Sequence, residues 1–305
     1  MRVWITGATG FVGRSLVAAL LEAGHRVVVS SRNPAGAQGQ LGDTVVVRSG
    51  DLHGAALARE LAGCDAVINL AGEPVAGRRW TPAVERSVRS SRVDTTRSLV
   101  DALALAEPRP RVLISASAVG LYGDRGDEHV HVGSAPASRG LAGVVRAWEA
   151  EASRARALGM RVTMPRLGVI IGAGGGFLGS VLPVFRAGLG GPLGTGRQWV
   201  PWVHLDDVVA VLIRALEDER FDGPFDLVAP NPVRQRDLAR TLGRVLGRPA
   251  WLPAPAPLLR LALGEGAGVL LDSARVTPMD LERRGYAFRH PTLEPALRAA
   301  VDGMP

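Results

Sequence analysis

Short runs of valine and isoleucine alternate along the chain with longer stretches in which apolar residues recur at helical spacing. The runs predict buried strands, and the longer stretches predict amphipathic helices that cover them. Strands that are apolar throughout and alternate with helices are typical of a parallel sheet covered on both faces. The sequence therefore predicts an α/β fold with a doubly wound, Rossmann-type sheet. The predicted strands are residues 2–6, 26–31, 44–50, 65–72, 111–117 and 161–171.

The pattern changes after Gly172, where glycine, tryptophan and proline become frequent. Helical spacing returns at 204–218, and beyond about residue 230 the chain resembles helices joined by proline turns. These changes predict a second, smaller and mostly helical domain. We place the Rossmann-type domain at 1–170, with about 200–229 also contributing to it. The smaller domain then comprises 171–199 and 230–305.

Composition narrows the functional classes. All 36 basic residues are arginine, so the chain has no lysine to form a Schiff base or act as a base. The net charge is +7, but the arginines are interleaved with acids and aromatic residues make up only 5%, which disfavours a nucleic-acid surface. No apolar stretch reaches the roughly 18 residues of a membrane span. The single cysteine, Cys64, and the early Gly7 favour a cytoplasmic protein without a signal peptide.

Three glycines directly follow the first predicted strand and open the first predicted helix, in the segment "TGATGFVG". The first allows a tight turn, the second lets the backbone approach a pyrophosphate, and the third allows close helix–strand packing. The helix N-terminus offers free N–H groups to phosphate. This context predicts a dinucleotide site. Its predicted contacts are Gly7, Thr9, Gly10, Phe11, Val12 and Gly13.

The end of the second strand favours NADP(H) over NAD(H). An acid at this point would bind the ribose 2′-hydroxyl, but the chain has Arg32, with Ser31 beside it. A cation there favours a 2′-phosphate; an exposed surface arginine is the alternative. After the third strand, Asp51 and Leu52 are candidate contacts to the adenine ring. The alternative for Asp51 is the N-cap of the helix that follows.

Several longer motifs resemble the extended short-chain dehydrogenases/reductases: "TGATGFVG", "NLAG", "SASAVGLYG" and "WVHLDDV". The segments "NLAGEPVAGRRW", "SRVDTTRSLV" and "GGPLGTGRQWVPWVHLDD" are more similar to an atypical branch, the NAD-dependent epimerase-like epimerase family proteins. The resemblance covers almost the whole chain. It implies a Rossmann domain, a small C-terminal domain and a cleft between them, without a known substrate.

Residue roles follow from that resemblance. Ser117 matches the catalytic serine that polarises a substrate carbonyl or hydroxyl. Arg166 and His204 match structural positions, and His204 with the two following acids is expected to cap a helix and clamp the domains rather than act in catalysis. The loop expected to line the cofactor is Leu70, Ala71, Gly72 and Glu73.

The chain departs from the family where proton transfer is usual. The Tyr-x-x-x-Lys pair of extended members is replaced by Leu141 and Val145 in the segment "LAGVVRAWE". Tyr122 lies five residues beyond Ser117 and is a candidate proton donor. Val200 and Pro201 replace an arginine–aspartate pair that sugar-nucleotide enzymes usually carry, which disfavours such a substrate.

Other segments leave alternatives open. Glu73 is a candidate base or ribose contact, with a salt bridge to Arg78 or Arg79 as the alternative. Arg197 is expected either to meet an anion or to lie in a solvated loop. The second glycine motif, 174–179, is interpreted as a flexible substrate-side loop. The histidines of 129–131 lack the further ligands that a metal site needs.

Three functions remain at this point. The first is an NADP(H)-dependent oxidoreductase or isomerase for an unknown small carbonyl or hydroxyl substrate, with Ser117, Tyr122 and Glu73 as catalytic candidates. The second is a non-catalytic NADP(H)-binding sensor or regulator. The third, least favoured, is a sugar-nucleotide epimerase. The sequence predicts neither the substrate nor the oligomeric state.

Overall fold

The computed structural model describes residues 1–303 and contains a parallel eight-stranded sheet. Seven strands follow the order β12-β8-β5-β4-β1-β2-β3, and β6 pairs with β8. Three two-stranded pairings lie outside this sheet: β10 with β13, β11 with β9, and β14 with β7. The strands are β1 (Arg2–Thr6), β2 (Arg26–Ser31), β3 (Val46–Ser49), β4 (Ala66–Asn69), β5 (Val112–Ser115), β6 (Ser117–Ala118), β7 (His129–Val130), β8 (Arg161–Leu167), β9 (Val169–Ile171), β10 (Trp199–Val200), β11 (Trp202–His204), β12 (Gly223–Leu227), β13 (Val233–Arg234) and β14 (Arg275–Val276).

Within residues 1–303, twelve α-helices accompany these strands, and most follow segments of helical spacing. The longest, α4, begins at Pro82 directly after Thr81, whose hydroxyl accepts from the Val84 N–H. Proline at the first position and a threonine cap are favourable helix starts. The helices are α1 (Phe11–Glu22), α2 (Pro34–Leu41), α3 (Gly54–Leu61), α4 (Pro82–Leu105), α5 (Ala142–Ser153), α6 (Gly176–Arg186), α7 (Leu205–Glu217), α8 (Gln235–Leu246), α9 (Ala256–Leu263), α10 (Gly268–Leu271), α11 (Met279–Arg283) and α12 (Leu293–Asp302).

Successive residues of β1 pack into different layers because side chains alternate across a strand. Val3 and Ile5 join the core beneath α1 and α7, whereas Trp4 joins the core beneath α3, α4 and α5. All three are fully buried. The sheet is therefore covered on both faces, as the apolar strands predict, and the predicted fold class is confirmed.

The strand order reverses between β1 and β4, so the connections run in opposite directions from this point. In open parallel sheets a crevice forms here at the carboxyl ends of the strands, and dinucleotides bind across it. The loops after β1, β2 and β3 lie on one side of the reversal, and those after β4 and β5 on the other. The functional site is therefore expected in this crevice, between the loops that follow β1 and β4.

A separate apolar cluster joins α6, α8 and α12, the mostly helical part expected from the sequence. Gly223–Leu227 pairs with β8 and so extends the main sheet, in line with the contribution expected from 200–229. The exact division into domains stays a prediction. Within residues 1–303, no helix has both the length and the apolar character needed to cross a bilayer.

Three local predictions are wrong. Residues 161–171 form two strands, β8 and β9, which are separated by Gly168. A Cβ on Gly168 would lie 2.5 Å from the Pro201 carbonyl oxygen. The helix after β3 begins at Gly54, not at Asp51. Residues 174–179 are not simply a loop, since α6 begins at Gly176.

His204 caps α7, as the resemblance implies. Its Nδ1 accepts from the Asp206 N–H at 3.2 Å, while the buried Asp207 accepts from the Tyr286 hydroxyl and from the N–H groups of Arg289 and His290. The His290 ring lies 3.8 Å from that of His204. These contacts join the C-terminal segment to the start of α7. The predicted helix cap is therefore confirmed, and the clamp between domains stays a prediction.

Candidate functional site

The glycine loop after β1 has the geometry that close backbone approach requires. Gly7 has a φ of +72°, and a Cβ there would lie 2.6 Å from the Leu70 carbonyl oxygen. A Cβ on Gly13 would lie 2.6 Å from the Ala8 carbonyl oxygen. These positions admit only glycine without movement of the backbone. The loop thus brings α1 directly against the end of the sheet.

The N-terminus of α1 is open to an anion. Its N-cap is Gly10, which has no side chain to accept from the first N–H groups, and its first turn holds no acidic residue. Unpaired N–H groups and the helix dipole favour phosphate at such an end. Together with Gly7 and Gly13, this end fits the pyrophosphate of a dinucleotide.

Arg32 follows β2 directly and is exposed. Within residues 1–303 its guanidinium has no hydrogen-bonding or ion-pair partner, although the Ser31 hydroxyl bonds to the Asn33 backbone. A Cβ on Gly50 would lie 2.8 Å from the Arg32 nitrogen, so the turn after β3 closes against Arg32. An available guanidinium beside a tight turn fits a 2′-phosphate.

Asp51 is exposed, and its N–H donates to the Ser49 hydroxyl. The N-cap of α3 is His53, so the alternative role of Asp51 as a helix cap is wrong. Leu52 is partly buried and packs against the core beneath α3. Contact of Asp51 and Leu52 with an adenine ring stays a prediction.

The loop after β4 is fastened to α4. The Glu73 N–H donates to the Ser91 hydroxyl at 3.1 Å, and Arg92 donates to the Glu73 carbonyl oxygen at 2.9 Å. The Glu73 carboxylate accepts from Arg78 at 2.8 Å. That hydrogen bond, with one from Ser87, lowers the pKa of Glu73. The salt bridge, one of the two alternatives for Glu73, therefore forms, and the carboxylate is held ionised.

Ser117 lies at the start of β6 and is 1% exposed. Its hydroxyl donates to Glu149 Oε1 at 2.5 Å. Glu149, on α5, also accepts twice from Arg166, at 2.8 and 3.0 Å. Ser117 is therefore already engaged by a carboxylate that an arginine fixes in place.

The same network extends to Tyr122 and Asp226. Arg166 donates to the Tyr122 hydroxyl at 2.9 Å, and that hydroxyl donates to Asp226 Oδ1 at 2.7 Å. Burial raises the pKa of Tyr122 above its ordinary value and raises the pKa of Asp226 to about 7. Tyr122 is fully buried. Its hydroxyl is engaged on two sides, by Arg166 and by Asp226, and its role as a proton donor stays a prediction.

The helix that usually carries the proton-transfer pair is apolar at both positions. Leu141 is the N-cap of α5, and its side chain lies beside Gly120, where a Cβ would be 3.2 Å from Leu141 Cδ1. Val145 is 2% exposed and packs in the cluster with Tyr122. Neither side chain can transfer a proton or bind ribose by a hydrogen bond.

Arg197 lies in an exposed turn and lines a cavity of about 330 Å³. The cavity also contains Arg234 and Arg260, together with Asp124 and Asp127. Arg234 is paired with Asp127 at 2.7 Å. The two alternatives for Arg197, an anion contact and a solvated turn, are both compatible with this position.

Two polar positions in the site were not anticipated as such from the sequence. Arg92 is partly buried on α4, and Asp226 is 2% exposed on β12. The signal for Asp226 was an acid inside the apolar stretch "FDLV", which predicts a partner in the core. Arg92 sits in a helix with many exposed arginines, so the pattern alone does not single it out.

Residues 3–227 match the model of the NAD-dependent epimerase/dehydratase family. The chain belongs to this family. Residues 254–300 match a domain of unknown function, DUF1731. The match to the first model covers the sheet domain with its glycine loop and the Ser117 network.

Relatives within the family share nearly the whole chain. The chloroplastic SDR39U1 homolog of Arabidopsis thaliana, an epimerase family protein, is 39% identical over 99% of this chain and 87% of that protein. YfhF of Bacillus subtilis, also an epimerase family protein, is 36% identical over 99% and 98%. The resemblance to the atypical epimerase-like branch is thus confirmed.

A solved structure has the same fold throughout. The human epimerase family protein SDR39U1 (isoform 2), crystallised with NADPH, superposes with a TM-score of 0.88 at 32% identity. The match covers 99% of this chain and 100% of the human chain. The Rossmann-type sheet with a helical C-terminal part is therefore a shared architecture of these proteins.

Proposed function

We propose that this protein binds NADP(H), with the pyrophosphate at the α1 N-terminus and the 2′-phosphate at Arg32. The observation that carries the proposal is the exposed Arg32, which follows β2 directly and whose guanidinium has no hydrogen-bonding or ion-pair partner within residues 1–303. The glycine positions and the uncapped α1 fit the pyrophosphate. The NADPH found with the human relative supports the same cofactor.

The test compares NADPH with NADH on the wild-type protein and on Arg32→Ala. Loss of a charged hydrogen-bonding partner for phosphate is expected to weaken NADPH binding by about tenfold or more and to leave NADH nearly unchanged. Arg59→Ala, an exposed arginine on α3, is the matched control. Equal effects of Arg32→Ala on both cofactors would contradict the placement of the 2′-phosphate.

For the reaction, we propose hydride transfer between NADP(H) and a small carbonyl or hydroxyl substrate. The hydrogen bond between Ser117 and Glu149 supports this, since it offers a route for a proton between Ser117 Oγ and a carboxylate. The proton would move towards the substrate oxygen when NADPH reduces a carbonyl, and away from it when a hydroxyl is oxidised. Turnover of a carbonyl panel, followed by NADPH oxidation, tests it. Ser117→Ala should abolish turnover while NADPH binding persists.

A non-catalytic NADP(H)-binding sensor is the second candidate. It is favoured by the burial of Ser117 and Tyr122 and by the apolar Leu141 and Val145. Under this proposal the protein binds NADPH but oxidises it with no member of the panel. Burst-phase measurements with stoichiometric enzyme separate a slow enzyme from a protein that does no chemistry.

A further inference from the structure

Arg92 on α4 is a partly buried guanidinium with no carboxylate partner within residues 1–303. It donates to the carbonyl oxygens of Val88 at 3.2 Å and Glu73 at 2.9 Å, both of which are neutral acceptors. Burial lowers the pKa of Arg92 to about 10, which still leaves it charged at neutral pH. A buried charge is normally paired, so an unpaired one indicates a functional use.

The guanidinium lies against the loop that follows β4. A Cβ on Gly72 would be 3.0 Å from Arg92 Cζ, and Arg92 Cζ lies 5.4 Å from the centre of the Trp148 ring on α5. Trp148 is three residues beyond Val145 and so lies on the same face of α5. Arg92 thus brings a charge close to the part of α5 where the lysine is missing.

The strand order decides which half of a dinucleotide meets this charge. The glycine loop and Arg32 occupy the ends of β1 and β2, which assigns the adenosine half to that side. The other half must then cross the reversal point towards the ends of β4 and β5. The loop beside Arg92 follows β4, on the nicotinamide side.

The charges around this loop sum to a positive value. The Glu73 carboxylate is the acid that interacts with Arg92. The same carboxylate forms an ion pair with Arg78 at 2.8 Å. Arg92 therefore remains uncompensated after Glu73 and Arg78 neutralise each other. An oxidised nicotinamide ring carries a positive charge, whereas the reduced ring is neutral, so a nearby cation discriminates against the oxidised form.

We propose that Arg92 makes this protein selective for the redox state of its cofactor, binding NADPH in preference to NADP+ through the uncompensated guanidinium beside Gly72. This inference rests on the proposed NADP(H) binding. It gives the chain a means to respond to the ratio of reduced to oxidised cofactor whether or not it turns over a substrate. The Arg92 guanidinium also provides a positive charge on the nicotinamide side of the cleft, in a chain that has no lysine.

The test is the ratio of the dissociation constants for NADP+ and NADPH, measured by calorimetry on the full chain. For the wild type, NADPH should bind about tenfold more tightly. Arg92→Gln should reduce that preference several-fold, while Arg92→Lys, which keeps the charge, should retain most of it. Arg89→Gln removes a charge from the exposed side of the same helix and should leave the ratio unchanged.

The ratio of the dissociation constants for NADP+ and NADPH distinguishes redox selectivity from a purely structural role of Arg92. If Arg92→Gln weakens both forms equally, Arg92 only positions the loop, and the inference is overturned. Equal affinity of the wild type for NADPH and NADP+ also overturns it, but leaves the proposed cofactor binding intact. If neither form binds the wild type, the proposed function fails together with the inference.

Discussion

Arg166 supplies the positive charge of the buried network around Ser117. It pairs with Glu149 and donates to the Tyr122 hydroxyl, and its side chain is 8% exposed. Removing one member of a buried pair leaves the other charge uncompensated. Arg166→Met should therefore lower the free energy of unfolding by about 3 to 5 kcal/mol in a urea titration.

The matched control is Arg244→Met, which breaks an ion pair to Glu294 whose arginine side chain is 64% exposed. Exposed pairs contribute at most about 1 kcal/mol. If Arg166→Met lowers the free energy of unfolding no more than Arg244→Met does, Arg166 does not stabilise the network around Ser117 as described.

Asp226 makes stability depend on pH. Its pKa is raised to about 7 by burial, so between about pH 4 and pH 7 the folded protein holds a proton that the unfolded chain releases. With respect to Asp226, the folded state is most stable below about pH 4, and this stability is lost as the pH rises from about 4 to about 7. Asp226→Asn stays neutral and still accepts from Tyr122. Its stability relative to the wild type should therefore rise with pH, by at most about 1.4 kcal/mol per unit.

Urea titrations of both proteins at several pH values between 5 and 8 measure this difference. Asp222→Asn is a suitable control, because the hydrogen bond from Arg156 lowers the pKa of Asp222. Between pH 5 and pH 8 the Asp222 carboxylate is ionised in both the folded and the unfolded protein, so the stability of Asp222→Asn relative to the wild type should stay constant with pH. A pH-independent difference for Asp226→Asn would contradict a raised pKa.

The loop between β1 and α1 is the element on which cofactor binding depends. A Cβ on Gly13 would meet the Ala8 carbonyl oxygen at 2.6 Å, a backbone atom that cannot move away cheaply. Gly13→Ala should therefore shift α1 from the sheet and reduce NADPH affinity by at least tenfold in a fluorescence titration. Gly179→Ala, on α6, has open space around it and should leave affinity unchanged. Similar losses in both variants would argue against the loop as the site.

At the level of elements, much of the architecture was predictable because the apolar pattern is strong. The second strand begins at Arg26 and ends at Ser31, as predicted. The misplaced elements have local causes. The helix α3 begins later than Asp51 because the Asp51 N–H bonds to the Ser49 hydroxyl in a turn. The loop prediction for 174–179 is wrong because α6 begins at a glycine, Gly176.

The candidate site was predictable only in part. The glycine spacing and Arg32 follow from short segments in which the residues are neighbours. The partnership of Ser117 with Glu149, and of Tyr122 with Asp226, joins residues 32 and 104 positions apart. Such pairs depend on how β6, β12 and α5 come together, which the spacing of residues along the chain does not reveal.

For the molecule as a whole, Asp207 determines how the C-terminal segment is held to the sheet domain. It is fully buried and accepts from Tyr286, Arg289 and His290. Asp207→Ala leaves these three donors without their acceptor, which should destabilise the protein by about 3 kcal/mol or more. Limited proteolysis should then cleave near residues 284–292 faster than in the wild type. An unchanged cleavage rate would contradict the clamp.

The proposed function requires that the cleft at the sheet reversal holds NADP(H). The most direct measurement is a fluorescence titration of the wild-type protein with NADPH and, in parallel, with NADH. We expect saturable NADPH binding that is at least tenfold tighter than NADH binding, because Arg32 would interact with the 2′-phosphate. Equal affinity for the two would contradict the role of Arg32, and binding of neither would contradict the site itself.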